Sequence, residues 1–344
     1  MKAVIVDRPR SLRVADVPKP RISRPDDVLV RVSYGSICGS DVGIYTGANT
    51  IVTYPRIIGH EFGGIVEAVG SAVEALKPGD AVAVDPVISC GRCRACRSGR
   101  PNVCAGVEVR GVHRDGGFAE YAVAPEASAH RIDLNRVPPE AVALVEPYSI
   151  GVEVAHRGRV GAGDRVLVLG AGPIGLTVMQ VAKLKGANVM IADLMDSRLA
   201  RAKWLGADAT VNVARDDVTR DDVARAVMDF TQGEGASVVV DCACTPDTFR
   251  QALELAGAAG RVVSLGLVAR PSAVASMEIV KKGLDVLGSR LNNRRFPEVI
   301  DLFERGSIDP TGILSAVLPC DDAETAIQQI LQHPEASCKL ALRF

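Results

Sequence analysis

Two hydrophobic rhythms divide the chain. In the first, from residue 1 to about 150, short segments alternate apolar and polar positions and are separated by turns such as Lys77-Pro-Gly-Asp80. These segments lie at 28–32, 64–69, 80–84 and 118–123. A period of two is typical of strands that bury one face. This half is therefore predicted to be a mostly β domain, a partly open barrel.

After Gly161-Ala-Gly-Asp164, apolar segments alternate with helical stretches. Strands are predicted at 165–169, 188–193, 210–213, 237–243 and 261–267, and helices near 174–186, 196–205, 219–231 and 246–256. This α/β alternation predicts right-handed βαβ crossovers and a doubly wound parallel sheet. The tail, which we expect to return to the first domain, is predicted to hold a strand at 284–288, helices near 296–305 and 321–332, and a strand at 338–343.

The composition indicates a globular protein of two domains. Of 344 residues, 47% are hydrophobic and 24% are charged, and 40 basic against 41 acidic residues leave a net charge of −1. No cluster of lysines and arginines forms a stripe that could neutralise a phosphate backbone. Nucleic acid is therefore not expected as a partner.

No membrane segment is predicted. The longest apolar stretch, 166–184, has Gly170, Gly172, Pro173 and Gly175 at its centre, so a buried strand that turns into a buried helix explains it better than a membrane span. The first residues are predicted to form a strand and lack the apolar core of a signal peptide. We therefore expect a cytoplasmic protein that does not contact a membrane.

Strand 165–169 leads directly into Gly170-Ala-Gly172-Pro173-Ile174-Gly175 and then into a helix. In a dinucleotide-binding turn, the first glycine permits the turn, the second lets the backbone approach a pyrophosphate, and the third lets helix and strand pack closely. The motif alone is weak, and glycines that serve only helix–sheet packing are the alternative. Its position between a strand and a helix favours a dinucleotide site.

An acidic residue, Asp193, ends the next predicted strand. Its carboxylate is expected to accept from both ribose hydroxyls and to repel a 2′-phosphate, which favours NAD over NADP as the cofactor. Arg198, five residues on, leaves two alternatives open. Its guanidinium could stack on adenine or could pair with a phosphate.

Four cysteines, Cys90, Cys93, Cys96 and Cys104, lie within one short segment. Four thiolates at such spacing can surround one tetrahedral Zn²⁺ in a closed, structural site. Two disulfides in a secreted protein are the alternative, which the expected reducing cytosol disfavours.

A second set of candidate ligands is spread along the chain: Cys38, the His60-Glu61 pair and Glu146. A zinc ion held by thiolate, imidazole and carboxylate can keep a position open for water or an alcohol oxygen, as a catalytic zinc requires. Taken singly, each of these residues could instead be an ordinary core side chain without a metal. A closed site together with an open one indicates a zinc enzyme with two ions per chain.

Four motifs in this order resemble the zinc-dependent medium-chain dehydrogenases: Cys-Gly-Ser-Asp at 38–41, Gly-His-Glu-Phe at 59–62, the four cysteines and Gly-Ala-Gly-Pro-Ile-Gly. The resemblance covers essentially the whole chain. It implies a GroES-like catalytic domain from both ends of the chain, 1–152 with 288–344, and a Rossmann NAD-binding domain at 153–287.

Further similarities indicate particular branches of that family. Glu-Pro at 146–147 resembles the sorbitol dehydrogenase branch. A bacterial group that contains the starvation-sensing protein and the L-galactonate and L-gulonate 5-dehydrogenases resembles this chain at 54–62, 84–90, 111–118 and 289–292. The resemblance implies oxidation of a secondary hydroxyl of a sugar acid or polyol, and a homo-oligomer, either a dimer or a tetramer.

Site roles follow from the same resemblance. Cys38, His60 and Glu146 would hold the catalytic zinc, with Glu61 as a fourth ligand or an exchangeable one. Ser40 would begin a proton relay that many relatives continue with a histidine, but that place is Gly43 here. The relay then ends in water or in an unnamed group; Tyr45 is the nearest hydroxyl by sequence.

A sugar-acid carboxylate needs a cation and hydrogen-bonding groups, because a guanidinium can bind it with two parallel hydrogen bonds. The candidates are Arg110, His113, Arg290 and Asn292. Exposed arginines that pair with surface acids are the alternative. Other open alternatives are a threonine 3-dehydrogenase, a neutral polyol dehydrogenase and a regulatory relative without turnover.

Overall fold

A computed structural model describes residues 1–214 and 219–344, which fall into two units. The first unit is Met1–Ser149 with Asn292–Phe344, and the second is Ile150–Leu291. The tail is thus grouped with the first half of the chain. These limits lie a few residues from the domain bounds drawn above at 152 and 288.

The alternating segments of the first half form strands. They are β1 Lys2–Arg8, β2 Ser11–Asp16, β3 Asp27–Ser36, β4 Arg56–Ile57, β5 Glu61–Val69, β6 Ala81–Val84, β7 Val87–Ile88, β8 Glu108–Val109, β9 Tyr121–Pro125 and β10 Ala129–Arg131. β3 pairs antiparallel with both β5 and β9, and β5 pairs with β6. The inward-facing valines of these strands pack around Phe62 to form the core of this unit.

Three α-helices that the sequence did not predict interrupt this mostly β half: α1 Gly39–Thr46, α2 Arg94–Arg97 and α3 Ala141–Arg157. In α1, the Asp41 carboxylate accepts a hydrogen bond from the Cys38 N–H (2.9 Å) and caps the helix start. The start of α3 is buried on all sides, so it shows no amphipathic period.

A proline inside α3 also hides this helix from sequence reasoning. Pro147 lacks the N–H that would bond the carbonyl of Ala143 four residues earlier, which normally breaks a helix. The Ser36 hydroxyl, at the end of β3, lies 3.0 Å from that carbonyl and replaces the missing donor. β3 therefore supports the helix turn that carries Glu146.

The middle of the chain alternates as the sequence predicts. Its elements are β11 Arg165–Leu169, α4 Pro173–Leu184, β12 Asn188–Asp193, α5 Asp196–Trp204, β13 Ala209–Asn212, α6 Arg220–Phe230, β14 Ala236–Asp241, α7 Pro246–Leu255, β15 Ala256–Ser264, α8 Ser276–Lys282 and β16 Asp285–Gly288. All pairs are parallel, in the order β13-β12-β11-β14-β15-β16. This order is that of a doubly wound dinucleotide-binding sheet, so the predicted fold class is confirmed.

The tail adds α9 Phe296–Glu304, β17 Leu314–Pro319, α10 Ala323–Gln332 and β18 Lys339–Arg343 to the first unit. In the register of the strands, Ser36 of β3 lies opposite Ala341 of β18 on one side and Glu61 of β5 on the other. Three strands that are distant in sequence thus meet at one place. No helix within the described residues has the length and hydropathy of a membrane span.

Candidate functional site

The meeting point of β3, β5 and β18 collects potential metal ligands. Cys38 follows β3, His60 and Glu61 enter β5, and one ligand atom of each lies within 4.8 Å of the others. His60 and Glu61 are buried, as is Glu146 on α3. Thiolate, imidazole and carboxylate together suit Zn²⁺.

His60 is oriented by hydrogen-bonding groups on both sides of its ring. Its Nε2 lies 3.3 Å from the Ser40 Oγ, and its buried Nδ1 lies 3.6 Å from an Asp41 oxygen without a hydrogen-bond partner among the described residues. Burial by itself would lower the pKa of His60, but Asp41 and the Cys38 thiolate raise it well above its usual value. A carboxylate behind the imidazole is a common support for a metal-binding histidine.

Glu61 is held by a buried lysine that the sequence did not suggest. Lys339 Nζ lies 2.7 Å and 2.6 Å from the two carboxylate oxygens of Glu61, and it also donates to the Ile37 carbonyl (3.2 Å). The single Ser36 hydroxyl proton is shared between this carboxylate and the Ala143 carbonyl. Burial would lower the pKa of Lys339, but the charges of Glu61 and Cys38 raise it instead. Lys339 therefore stays charged and neutralises Glu61.

Glu146 stands slightly apart from the three close ligand atoms. Burial, followed by repulsion from Glu61, raises the pKa of Glu146 to about 8, while the charges of His60 and Lys339 oppose the shift. Its carboxyl group thus sits in a region that accumulates negative charge. A divalent cation there would favour the ionised form, so the donor set fits a metal ion.

A second acid, the half-buried Asp85, supports this region. Its Oδ1 accepts from the Val87 N–H (3.0 Å) and from the Asn292 side-chain amide (3.2 Å), and burial raises its pKa to about 6. Asn292 is only 2% exposed, and its carbonyl oxygen accepts from the Arg295 N–H (3.3 Å). Both ends of this amide are thus engaged within the protein, while one N–H of its nitrogen has no hydrogen-bond partner among the described residues.

The structure does not bring the other substrate candidates together. Arg110 lines a cavity that the N-terminal hairpin also lines, and none of the candidate catalytic residues is among its lining residues. The His113 ring accepts from the Val109 N–H (3.1 Å) through Nδ1, which leaves Nε2 for another partner. Arg290 is half-buried and belongs to the second unit.

The four cysteines form a second cluster in the first unit. Their sulfur atoms lie 3.5 Å apart for Cys93 and Cys96, 3.8 Å for Cys93 and Cys104, and 3.4 Å for Cys104 and Cys90. A tetrahedron with metal–sulfur bonds of roughly 2.3 Å has edges of about 3.8 Å. All four thiols are free, so the disulfide alternative is not realised.

The pKa values of the thiols in the lobe formed by residues 90–104 also favour a metal. N–H groups of Cys96 and Ala105 lower the pKa of Cys93 to about 6, whereas burial and neighbouring sulfurs raise that of Cys96 to about 11. Four adjacent thiolates therefore repel one another without a cation between them. A bound Zn²⁺ removes that repulsion.

The glycine motif of the second unit has the expected geometry. Gly170 has φ +103°, and a Cβ on Gly175 would lie 1.9 Å from the Gly170 carbonyl oxygen. Gly172 caps α4 without a side-chain donor or acceptor, and a Cβ there would meet nothing within 4 Å. Pro173 and Ile174 form the first turn of α4, so this open helix start can receive a phosphate.

Asp193 lies at the end of β12, beside this turn. Its two carboxylate oxygens accept from the N–H groups of Ala171 (2.7 Å) and Met195 (3.0 Å). The Arg198 guanidinium lies 3.8 Å from the same carboxylate. Arg198 is therefore partly neutralised by Asp193.

Family profiles agree with this geometry. The alcohol dehydrogenase GroES-like domain matches residues 24–134, and the zinc-binding dehydrogenase domain matches residues 173–305. Together the two matches cover more than half of the chain. The chain is a zinc-dependent medium-chain alcohol dehydrogenase. The resemblance noted in the sequence, including the GroES-like and Rossmann domains, is confirmed.

Relatives of this dehydrogenase cover its full length. The starvation-sensing protein RspB of Escherichia coli K12 is 40% identical over 100% of this chain and 99% of its own. A crystal structure of RspB from E. coli CFT073 with NADH has a TM-score of 0.93 and 39% identity, covering 100% of this chain and 99% of that one.

Two other relatives have names that state a substrate. Sorbitol dehydrogenase of Bacillus subtilis is 30% identical over 99% of this chain and 96% of its own. The structure of L-idonate 5-dehydrogenase from E. coli K-12 has a TM-score of 0.88 and 26% identity, covering 100% and 98% of the two chains.

Sequence reasoning missed the residues that support the ligands of this dehydrogenase, namely Ser36, Asp41, Asp85 and Lys339. One signal was available: Lys339 interrupts an apolar terminal strand, where an unpaired charge is costly. Its partner, Glu61, could not be named because the two are 278 positions apart.

Proposed function

We propose that this dehydrogenase oxidises a secondary hydroxyl of a sugar acid to a ketone, with NAD as hydride acceptor and two zinc ions per chain. The observation that carries the proposal is the buried cluster in which ligand atoms of Cys38, His60 and Glu61 lie within 4.8 Å of one another. Such a mixed set is typical of a catalytic rather than a structural zinc site.

In this proposal Cys38, His60 and Glu146 hold the catalytic zinc, and Glu61 exchanges between the metal and Lys339. Zinc, when bound, acts as a Lewis acid that makes a hydroxyl more acidic. The Ser40 Oγ, beside His60, receives the hydroxyl proton. Tyr45 does not continue the relay, because its hydroxyl donates to Glu324 (2.8 Å), so Ser40 passes the proton to water.

The four-cysteine cluster and the glycine turn of the second unit have the remaining cofactor roles in this proposal. Cys90, Cys93, Cys96 and Cys104 hold the structural zinc. The turn at 170–175 and the start of α4 bind the NAD pyrophosphate, and Asp193 binds the adenosine ribose. NAD supplies the hydride acceptor, and the chain supplies its position. Arg198 lies 3.8 Å from Asp193, so in this proposal its charge is offset by Asp193 and does not serve a 2′-phosphate.

A sugar-acid substrate is supported by the similarity to L-idonate 5-dehydrogenase, whose name specifies such an acid. Arg290 and His113 are each proposed, from the sequence resemblance, as a partner for that carboxylate. The similarity to sorbitol dehydrogenase favours a neutral polyol as the second candidate.

We also propose that the enzyme works as a cytoplasmic homo-oligomer. β16 is at the edge of the parallel sheet, and its Val286 is 39% exposed. An uncovered apolar edge strand can pair with a second copy.

NAD⁺ reduction tests the substrate proposal. Purified enzyme is assayed against a panel of aldonates, the matching polyols and L-threonine, with zinc content measured on the same sample. We expect the highest kcat/KM for an aldonate, and an Arg290→Gln variant whose KM rises for aldonates but not for polyols. Turnover confined to polyols or to threonine would contradict the sugar-acid assignment.

A further inference from the structure

A cavity of about 600 Å³ lies in the first unit, and Phe62, next to Glu61 in the chain, is part of its wall. It is lined by the β1–β2 hairpin and its continuation, by residues 55–57, and by residues 110–116. None of Cys38, Ser40, His60, Glu61 and Glu146 is among its lining residues in the described chain. The volume is within the range of small-molecule sites.

Four arginines line this cavity: Arg13, Arg56, Arg110 and Arg114. Three of them pair with acids, Arg13 with Asp7 (2.7 Å), Arg56 with Asp115 (3.0 Å) and Arg114 with Glu108 (2.6 Å). Arg110 has no acidic partner within ion-pair distance among the described residues, and its buried Nε has no hydrogen-bond partner there. The Nε of Arg56 is also buried without a partner.

An unpaired guanidinium at a partly buried position is costly, because it loses hydration without gaining a counter-ion. Burial and the neighbouring Arg114 lower the pKa of Arg110. A single anion in the cavity would offset both effects. The one uncompensated charge matches one negative charge on a ligand.

Apart from Asp115, which is paired with Arg56, and Tyr121, most of the remaining lining is apolar. Ile5, Val17, Pro55 and Ile57 contribute to the walls of the cavity. A dianion surrounded by such walls would lose hydration without enough donors to replace it. An anion that carries its own apolar group fits both parts of the cavity.

We propose that this cavity binds a small organic monocarboxylate, whose carboxylate contacts the Arg110 guanidinium and whose apolar body lies against Ile5, Val17 and Ile57. Guanidinium and carboxylate can form two parallel hydrogen bonds. The site is separate from the proposed substrate position, so it would admit a carboxylic acid that is not oxidised.

Calorimetric titration of the zinc-loaded enzyme with benzoate tests the proposal. We expect saturable binding that Arg110→Gln weakens at least about tenfold, since a charge-assisted bidentate contact is lost. Arg13→Glu, on the hairpin and 51% exposed, is expected to weaken it several-fold by placing an acid at the cavity. Arg31→Glu, equally exposed and outside the lining, is the control and leaves the affinity unchanged.

Two results would overturn this site. Benzoate binding that persists in both Arg110→Gln and Arg13→Glu would place benzoate elsewhere, for example at the catalytic metal. Inorganic phosphate that binds as tightly as benzoate would show a general anion effect of the arginines and not a carboxylate site with apolar walls.

Discussion

The two candidate metal centres of the first unit are built in opposite ways. The lobe takes its four sulfurs from one stretch, 90–104, where Cys90 is exposed and only Cys104 is buried. The other cluster takes its ligands from three distant segments and is mostly buried; Ser36 and Lys339 bond to Glu61, and Asp41 accepts from the N–H groups of Cys38 and Gly59. A metal bound in the lobe would therefore organise it, whereas the buried cluster is organised by the protein.

Because of this difference, we expect metal loss at the lobe to reduce mainly stability and metal loss at the buried cluster to reduce mainly activity. Loss of metal from the lobe removes the only group that holds four thiolates together, so the lobe should unfold locally. Loss of metal from the buried cluster leaves strand pairing and the Glu61–Lys339 pair in place. The predictions below test this contrast, from the largest expected effect to the smallest.

Cys38→Ala is expected to abolish activity while the fold persists. We expect kcat/KM to fall at least about 10³-fold, roughly 4 kcal/mol of transition-state stabilisation, with one zinc per chain remaining and a Tm close to that of the parent. Steady-state assays, metal analysis and thermal unfolding measure these quantities.

Cys93→Ala is the counterpart in the lobe. It should also leave one zinc per chain, but its Tm should fall clearly and its activity should be lost only as far as the protein unfolds. If the two variants show the same balance of lost activity and lost stability, the contrast between the centres is wrong.

Lys339→Met is expected to destabilise the protein by about 3–5 kcal/mol, because it leaves the Glu61 carboxylate buried without its cation. Urea unfolding measures this loss. The exposed Lys77→Met is the matched control and should change stability by less than about 0.5 kcal/mol. A double variant, Lys339→Met with Glu61→Leu, should recover much of the loss; equal instability of the double variant would argue against the pair.

Asp85, beside the buried cluster, is expected to make the stability of the fold depend on pH. Its pKa is about 6 in the folded protein against an ordinary value of 3.8, so the folded state holds its proton more tightly. Stability from this group is present below pH 3.8 and is lost as pH rises to about 6, with a limit of about 3 kcal/mol for about two pKa units. Above pH 6 its contribution is constant.

The isosteric Asp85→Asn variant should lack this slope and keep the hydrogen bond to Asn292. Its stability relative to the parent protein should therefore rise between pH 4 and pH 6. Chemical unfolding at a series of pH values measures the difference, and parallel curves for the two proteins would refute the assignment.

Ser36→Ala is expected to cost about 1–3 kcal/mol, because the Ala143 carbonyl loses its donor at the break in α3. Adding Pro147→Ala restores a backbone N–H to that carbonyl and should recover part of the loss. Unfolding free energies of the two single variants and the double variant measure this coupling. Additive losses would show that Ser36 does not support the helix turn.

How much of the fold and of the candidate site could be predicted from the sequence depends on how far apart along the chain the interacting residues are. The lobe and the turn at 170–175 were predicted because their residues are contiguous and their spacing carries the geometry. The doubly wound sheet followed from hydrophobic periodicity. The start of α3 was missed because complete burial removes the periodicity and Pro147 suggests a break.

Ser36 and Lys339 could not be predicted as supporting residues, because their contacts with Glu61 depend on strand pairing between positions 25 and 278 residues apart. Ser36 meets Glu61 and Ala341 only through the register of β3 with β5 and β18. Asn292 lay in a stretch near the predicted cleft, but the amide is bound to Asp85 and the start of α9. Membership of a stretch does not determine which way a side chain points.

The account depends most on a metal ion in the buried cluster. Diffraction from crystals of the purified protein, recorded on both sides of the zinc absorption edge, tests this directly. We expect two anomalous peaks per chain, one within the four cysteines and one about 2.3 Å from the Cys38 sulfur and about 2.0–2.1 Å from the His60 Nε2. A single peak in the lobe, with none beside Cys38, would contradict the proposed catalytic site.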